Sequence, residues 1–249
     1  MPIEPTVQAS VDKRVDLLRN VPVFTNLSDT ELLKLTKDLR LKSYAKNQVI
    51  FHQGDLGQEL YIILTGKVRI VKITPTGDET TLLIFAQNDI FGEFAVIDGN
   101  PRAATARAIE DTQLLALTKN QFDTHCLTMP ELAKGMTRLL TGKLRWTIAY
   151  AEAVAQYDVA ARLLHLLLLY NEKFGQAQGS SGRYLLDLSL RQAELASLVG
   201  ARREWVSRIL QDWRKRGLIE YDSGKILILD LPRVEAERDQ RIAAVPSVW

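Results

Sequence analysis

Gly92-Glu93 is followed, nine residues after the glutamate, by Arg102, in the run FGEFAVIDGNPRAAT from Phe91 to Thr105. Glycine lets a backbone approach a bound group closely. Arginine can give two parallel charge-assisted hydrogen bonds to a pair of anionic oxygens. A short helix starting near Gly92 would aim main-chain N–H groups and the positive end of its dipole in the same direction. A buried strand has no use for an arginine between a proline and two alanines, and a solvated loop has none for so much apolar surface. The chemistry open to this stretch is the holding of a small anion. The plainer alternative is an ion pair of Arg102 with Asp98 or Glu93.

A second constellation lies between Arg191 and Arg216. Seven basic residues and three acids give that segment a net charge of +4, within a chain whose total is +2. Two helical patterns, RQAELASLV and REWVSRILQDWRKR, flank Gly200-Ala201-Arg202, as in a helix-turn-helix. Steps of three and four place Arg203, Glu204, Ser207 and Arg208 near one another on the second helix. Trp205, Val206, Ile209, Leu210 and Trp213 supply apolar positions that can anchor it. Arginine pairs with guanine O6 and N7, and glutamate accepts from cytosine N4, so this face suits the major groove of double-stranded DNA. Lys215 and Arg216 fit phosphate contacts, which position without specifying. A surface ladder of ion pairs is the competing reading.

The elements that must carry these groups are legible as changes of pattern. SDTELLKLTKDLR opens with a Ser28/Glu31 capping box. From about Leu41 to Leu117, short β-rich runs (QVIFHQ, ELYIILTG, KVRIVKI, TTLLIFA, ATARAIE, TQLLALT) alternate with turn signals such as Pro75-Thr76-Gly77-Asp78 and Asp98-Gly99-Asn100-Pro101. They predict an all-β barrel or roll, closed enough to enclose a small ligand. A helix start at Thr128-Met129-Pro130-Glu131 opens an uninterrupted helix over about 129–155. Met136, Leu140, Leu144, Thr147, Ala151 and Val154 recur along it at heptad-like steps, which points to self-association as a homodimer or to packing on the helix's own domain. VAARLLHLLLLYNEKF, the loop from Lys173 to Arg183, the apolar run YLLDLSL and the hairpin IEYDSGKILILD complete a second domain, with a loosely held tail from Pro232. The expectation is an α+β chain of two domains, residues 1–157 and 158–249.

Several classes are excluded or disfavoured. No apolar run is long enough to span a bilayer, and MPIEPTVQASVDKR lacks a signal-peptide pattern, so the expected location is cytoplasmic. One cysteine, Cys126, rules out an internal disulfide framework and a four-cysteine zinc or iron–sulfur site. His52, His125 and His165 are scattered and suggest no haem or metal site. No catalytic residue is assigned, because Ser/His/Asp, metal and paired-carboxylate constellations are missing. A prosthetic group is not expected.

The order of β-roll, long helix and winged helix-turn-helix resembles the cyclic AMP receptor protein and fumarate–nitrate regulator (Crp–Fnr) family of bacterial transcription factors. The likeness spans Leu17 to Leu231, and the Gly-Glu…Pro-Arg-Ala-Ala stretch is similar to the phosphate-binding cassette of cyclic-nucleotide-binding domains. By that resemblance, cyclic AMP is the allosteric ligand. Arg102 holds the phosphate, Glu93 accepts from the ribose hydroxyl, and Gly92 with the amides near Phe94, Ala95, Ala103 and Ala104 forms the cradle. Thr147 meets the adenine across the dimer seam. Ala103 stands where relatives preferring cyclic GMP carry threonine, and Ile148 departs from a serine that reaches the partner's ligand. Arg203, Glu204 and Arg208 match the trio that reads a TGTGA-type half-site, and Ser207 also fits the fumarate–nitrate pattern. Trp205 replaces the usual threonine, and Arg202 stands at a usual capping serine or threonine. The resemblance further implies a hinge at Ala155 to Asp158 and an RNA polymerase contact on the 173–183 loop. The remaining alternatives are the same fold answering to another ligand or to none, and a nucleotide-binding regulatory subunit that has no DNA role.

Overall fold

The structure, a computed structural model, describes residues 15–74, 79–179, 182–188 and 190–243. The expected turn at Pro75-Thr76-Gly77-Asp78 lies outside the described residues. Contacts divide the chain into two compact units, Met1–Leu144 and Arg145–Trp249.

In the first unit, α1 (Asp29–Asp38) carries the expected capping box: Ser28 Oγ accepts from Glu31 N–H, and Glu31 accepts from Ser28 N–H. Two antiparallel sheets follow. One has the order β1 (Arg40–Tyr44), β8 (Thr112–Thr118), β3 (Glu59–Thr65), β6 (Ile90–Phe91). The other has β2 (Val49–Phe51), β7 (Thr105–Ala108), β4 (Val68–Ile73), β5 (Glu79–Phe85). All six predicted runs contain strands. The sequence reading had no separate run for β1, whose Leu41 is half exposed and whose apolar signal is correspondingly weak.

The central strands are apolar on both faces, and alternation sorts their side chains between two cores. Tyr61 and Ile63 of β3, with Leu114 and Ala116 of β8, face Val68, Phe85, Phe91 and Ala106 inside the roll. Leu60, Ile62, Leu115 and Leu117 belong to a second core with Val21, Phe24, Leu32, Leu35, Phe122 and Met129. Between Ile90-Phe91 and β7 sits the short helix α2 (Glu93–Asp98). Helix α3 (Lys119–Thr128), not foreseen, is capped reciprocally by Thr118 and Gln121.

Helix α4 (Pro130–Gln156) starts at the predicted proline. Leu132 and Met136 are buried in the first unit's outer core, so Met136 is an internal packing residue and not part of an open seam. From Arg145 the helix belongs to the second unit. There Tyr150 Oη donates to Leu198 O at 2.8 Å, and Trp146 stacks on Tyr150.

In the second unit, Asp158 caps α5 (Val159–Phe174) by accepting from Ala161 N–H at 2.6 Å. This apolar helix is the unit's centre: Leu163, Leu164 and Leu167 are fully buried. Around it lie α6 (Gln192–Leu198), α7 (Arg203–Lys215) and a sheet of order β11 (Ile219–Asp222), β12 (Lys225–Ile228), β10 (Tyr184–Asp187), β9 (Gln176–Ala177). The hairpin turns at Ser223-Gly224, both with left-handed backbone. The tail departs from expectation. Leu231–Ala243 forms α8, held by fully buried Val234 and by ion pairs from Glu237 to Arg216 and to Arg241.

Candidate functional site

Arg102 is the unusual group of the first unit. Its main chain is tied to the 54–55 turn: Arg102 N–H donates to Asp55 O and Gly54 N–H donates to Arg102 O. The residue is only 5% exposed. Nη1 donates to Gly92 O and Nη2 to Glu59 O, both at 2.6 Å, and the guanidinium lies 4.1 Å from the Phe51 ring centroid. Two glycines clear its space. A Cβ on Gly57 would come within 2.9 Å of the guanidinium carbon, and one on Gly92, where φ is +77°, within 2.8 Å of Nη1.

Among the described residues no carboxylate pairs with this cation. Asp98 turns back to accept from Asn100 N–H, and Glu93 is engaged elsewhere, so the ion-pair alternative for Arg102 does not hold. Arg102 Nε is buried without a hydrogen-bond partner. Burial lowers the guanidinium's pKa, against the through-space pull of Glu59, Asp55 and Glu93.

Glu93, 2% exposed, opens α2 and accepts from Lys143 Nζ at 2.7 Å. The same ammonium donates to Ile90 O and lies 4.7 Å from the Phe85 ring centroid. Lys143 was missed at the sequence level. Its signal was its position one helical turn before Thr147. Phe94 is exposed, Ala95 and Ala104 are buried, and exposed Ala103 accepts from Lys72 Nζ through its carbonyl. Gly92, Glu93, Phe94, Ala95, Arg102, Ala103 and Ala104 all lie in the first unit, whereas Thr147 is an exposed residue of the second.

A cavity of about 300 Å³ opens beside Arg102 and is lined by Phe51, Asp55, Glu59, Tyr61 and Lys119 among others. Of the expected ligand residues it holds only Arg102. The roll interior itself is packed with a chain of stacked rings: Tyr61 and Phe91 lie 5.3 Å apart, and Phe51 lies 6.0 Å from each.

In the second unit, Val206, Leu210 and Trp213 are buried and fix α7. Arg203, Glu204 and Arg208 are exposed and Ser207 is half-buried. Trp205 departs from the anchoring role expected of it, since it is 58% exposed. Arg202 is the N-cap and supplies no side-chain acceptor, as arginine must. Lys215 is exposed, and Arg216, also exposed, pairs with Asp212 and Glu237.

Among the described residues no group of three or more His, Cys, Asp or Glu is placed to hold a metal ion. His125 Nε2 meets Asp38 at 2.8 Å, and His165 packs edge-on against Tyr157. No described helix is long and apolar enough to cross a membrane.

Comparison with known proteins decides the family. Residues 41–128 match the model of the cyclic nucleotide-binding domain, and residues 159–237 match that of the Crp-like helix-turn-helix domain. The CRP-like cAMP-activated global transcriptional regulator of Mycobacterium tuberculosis is 31% identical over 88% of this chain and 97% of its own. The chain belongs to the Crp–Fnr family of transcription regulators. The cyclic AMP receptor protein of Thermus thermophilus is 29% identical over the same share of this chain and 97% of its own. A crystal structure of a CRP/FNR-family transcriptional regulator from Thermus thermophilus superposes with a TM-score of 0.67 at 27% identity, covering 81% of this chain and all of that one. This Crp–Fnr regulator therefore joins a cyclic-nucleotide-binding unit to a winged helix-turn-helix for DNA, and its family is one of regulators and not of enzymes.

Proposed function

We propose that this Crp–Fnr protein binds cyclic AMP in its first unit and then, as a homodimer, a two-fold-symmetric DNA site of TGTGA-like half-sites. The observation that carries the ligand reading is Arg102. A buried cation without a counter-ion is costly, by several kcal/mol in effective terms, unless an anion arrives. With Glu93 and Lys143 cancelling each other, the cassette keeps one uncompensated positive charge, and a cyclic nucleotide carries one negative phosphate. Arg102 Nε, buried and unpartnered, is a donor left for it. Glu93 would accept from the ribose hydroxyl, Lys143 would stay beside it, and Gly92 with the amides near Phe94, Ala95, Ala103 and Ala104 would close on the phosphate. Ala103 offers no hydroxyl to a guanine, which favours cyclic AMP over cyclic GMP.

Leu144 and Ile148, 60% and 59% exposed, support self-association through α4, with Leu140, Thr147, Ala151 and Val154 along the same seam. Two reading helices about 34 Å apart would then enter successive major grooves. Arg203, Glu204, Ser207 and Arg208 would read bases while Arg202 contacts a phosphate. RNA polymerase is the expected partner of the 173–183 loop, part of which lies outside the described residues. Calorimetric titration of cyclic AMP and cyclic GMP into the wild type and Arg102→Ala tests the ligand. The expected result is binding of cyclic AMP that the variant weakens. Equal affinity in both proteins removes Arg102 from the site.

One observation favours a second reading, the same regulator answering to another ligand or to none. The stacked Phe51, Tyr61 and Phe91 occupy the roll interior where a base would need space. Under that reading the titration shows no cyclic-nucleotide heat at all, while DNA binding persists.

A further inference from the structure

Trp205 is the large side chain of the reading helix that the fold does not use. Val206, Leu210 and Trp213 bury one face of α7 and fix its rotation, and Trp205 at 58% exposure stands off that face. On a helix it lies next to Glu204 and three residues before Arg208, at the flank of the base-reading set. Its surroundings are cationic: Arg202, Arg203 and Arg208 are all exposed on the same stretch. An indole held there has a broad apolar face for a partner whose backbone is anionic. In the major groove the apolar feature of a base pair is the thymine C5-methyl.

We propose that Trp205 is a specificity-determining residue whose indole covers a thymine methyl in the DNA half-site. The inference rests on α7 being the DNA-reading helix and adds a base preference that Arg203, Glu204 and Arg208 do not supply. Trp205 thereby discriminates between bases by an apolar contact, not by a hydrogen bond.

The test uses the full-length protein and a duplex half-site selected from a randomised pool. Sequence-selective binding by the wild type establishes that α7 reads DNA. Failure at that step overturns the parent reading and this one with it. Each thymine of the selected site is then replaced by uracil, which removes only the methyl group. Loss of one buried methyl corresponds to about fourfold in affinity. The expected result is a loss of about that size at one thymine for the wild type and none at that thymine for Trp205→Ala, whose fold is checked by its unchanged circular dichroism. If no thymine separates the two proteins, or if acrylamide still quenches Trp205 fully in the complex, Trp205 reads no methyl. That outcome overturns the proposal while leaving DNA reading by the arginines intact.

Discussion

At the scale of single residues, Glu93 and Arg102, both buried, are handled in opposite ways. Lys143 pairs with Glu93, whereas Arg102 donates only to carbonyls and keeps Nε unpartnered, as a guanidinium kept for an anion would. Lys143→Ala leaves the Glu93 carboxylate buried and unpaired, and the expected loss is about 3 kcal/mol of stability in chemical denaturation of the full chain. Arg102→Ala is expected to cost about 1.5–3 kcal/mol of cyclic AMP affinity by calorimetry, the range of a hydrogen bond to a charged group. The Gly-Glu…Arg spacing made Arg102 and Glu93 legible in the sequence, because both are close in the chain and chemically conspicuous. Lys143 was not legible. It meets Glu93 across fifty residues of chain, and a lysine on a long helix looks solvated until the partner is seen.

At the scale of elements, six strands of the first unit were readable as β-rich runs between turn signals, and α4 from its proline start, whereas the short β6 and β9 and the half-exposed β1 were not. Two helices were not. Helix α3 (KNQFDTHCLT) carries few apolar residues, so its signal was the Thr118/Gln121 capping box alone. Helix α8 buries only Val234 completely and otherwise holds by charge, which periodicity does not report. Its anchorage has a pH signature. Hydrogen bonding to Arg216 depresses the pKa of Glu237 below the ordinary 4.5. A carboxylate with a depressed folded pKa stabilises the fold above its unfolded value, and that stability is lost as pH falls through the folded value. Glu237→Gln is therefore expected to lower the denaturation midpoint of the second unit at pH 7, with the difference from wild type vanishing in acid below the carboxylate range. A second element-scale prediction concerns the helix-turn-helix corner, where Tyr150 Oη donates to Leu198 O and Arg162 Nη1 to Val199 O. Tyr150→Phe removes one donor from that corner, and about 1 kcal/mol of stability should go with it, read by urea denaturation.

At the scale of the whole molecule, a cyclic-nucleotide-binding domain and a helix-turn-helix share one chain, and the proposed association seam lies on α4. Leu144→Glu combined with Ile148→Glu should convert a dimer to monomers in sedimentation velocity and weaken binding to a two-half-site duplex. Helix α4 runs through Gln156 and Asp158 caps α5, so of the expected 155–158 hinge only Tyr157 and Asp158 lie outside helix. Ligand can shift DNA affinity by no more than its own preference for the DNA-competent arrangement. That limit makes the central claim measurable in one experiment, the affinity of the wild type and Arg102→Ala for a symmetric operator, by fluorescence anisotropy at fixed salt, with and without cyclic AMP. Wild-type affinity is expected to rise about tenfold with cyclic AMP, and the variant's to stay unchanged at the same nucleotide concentration. A wild-type affinity unchanged at saturating cyclic AMP would contradict it.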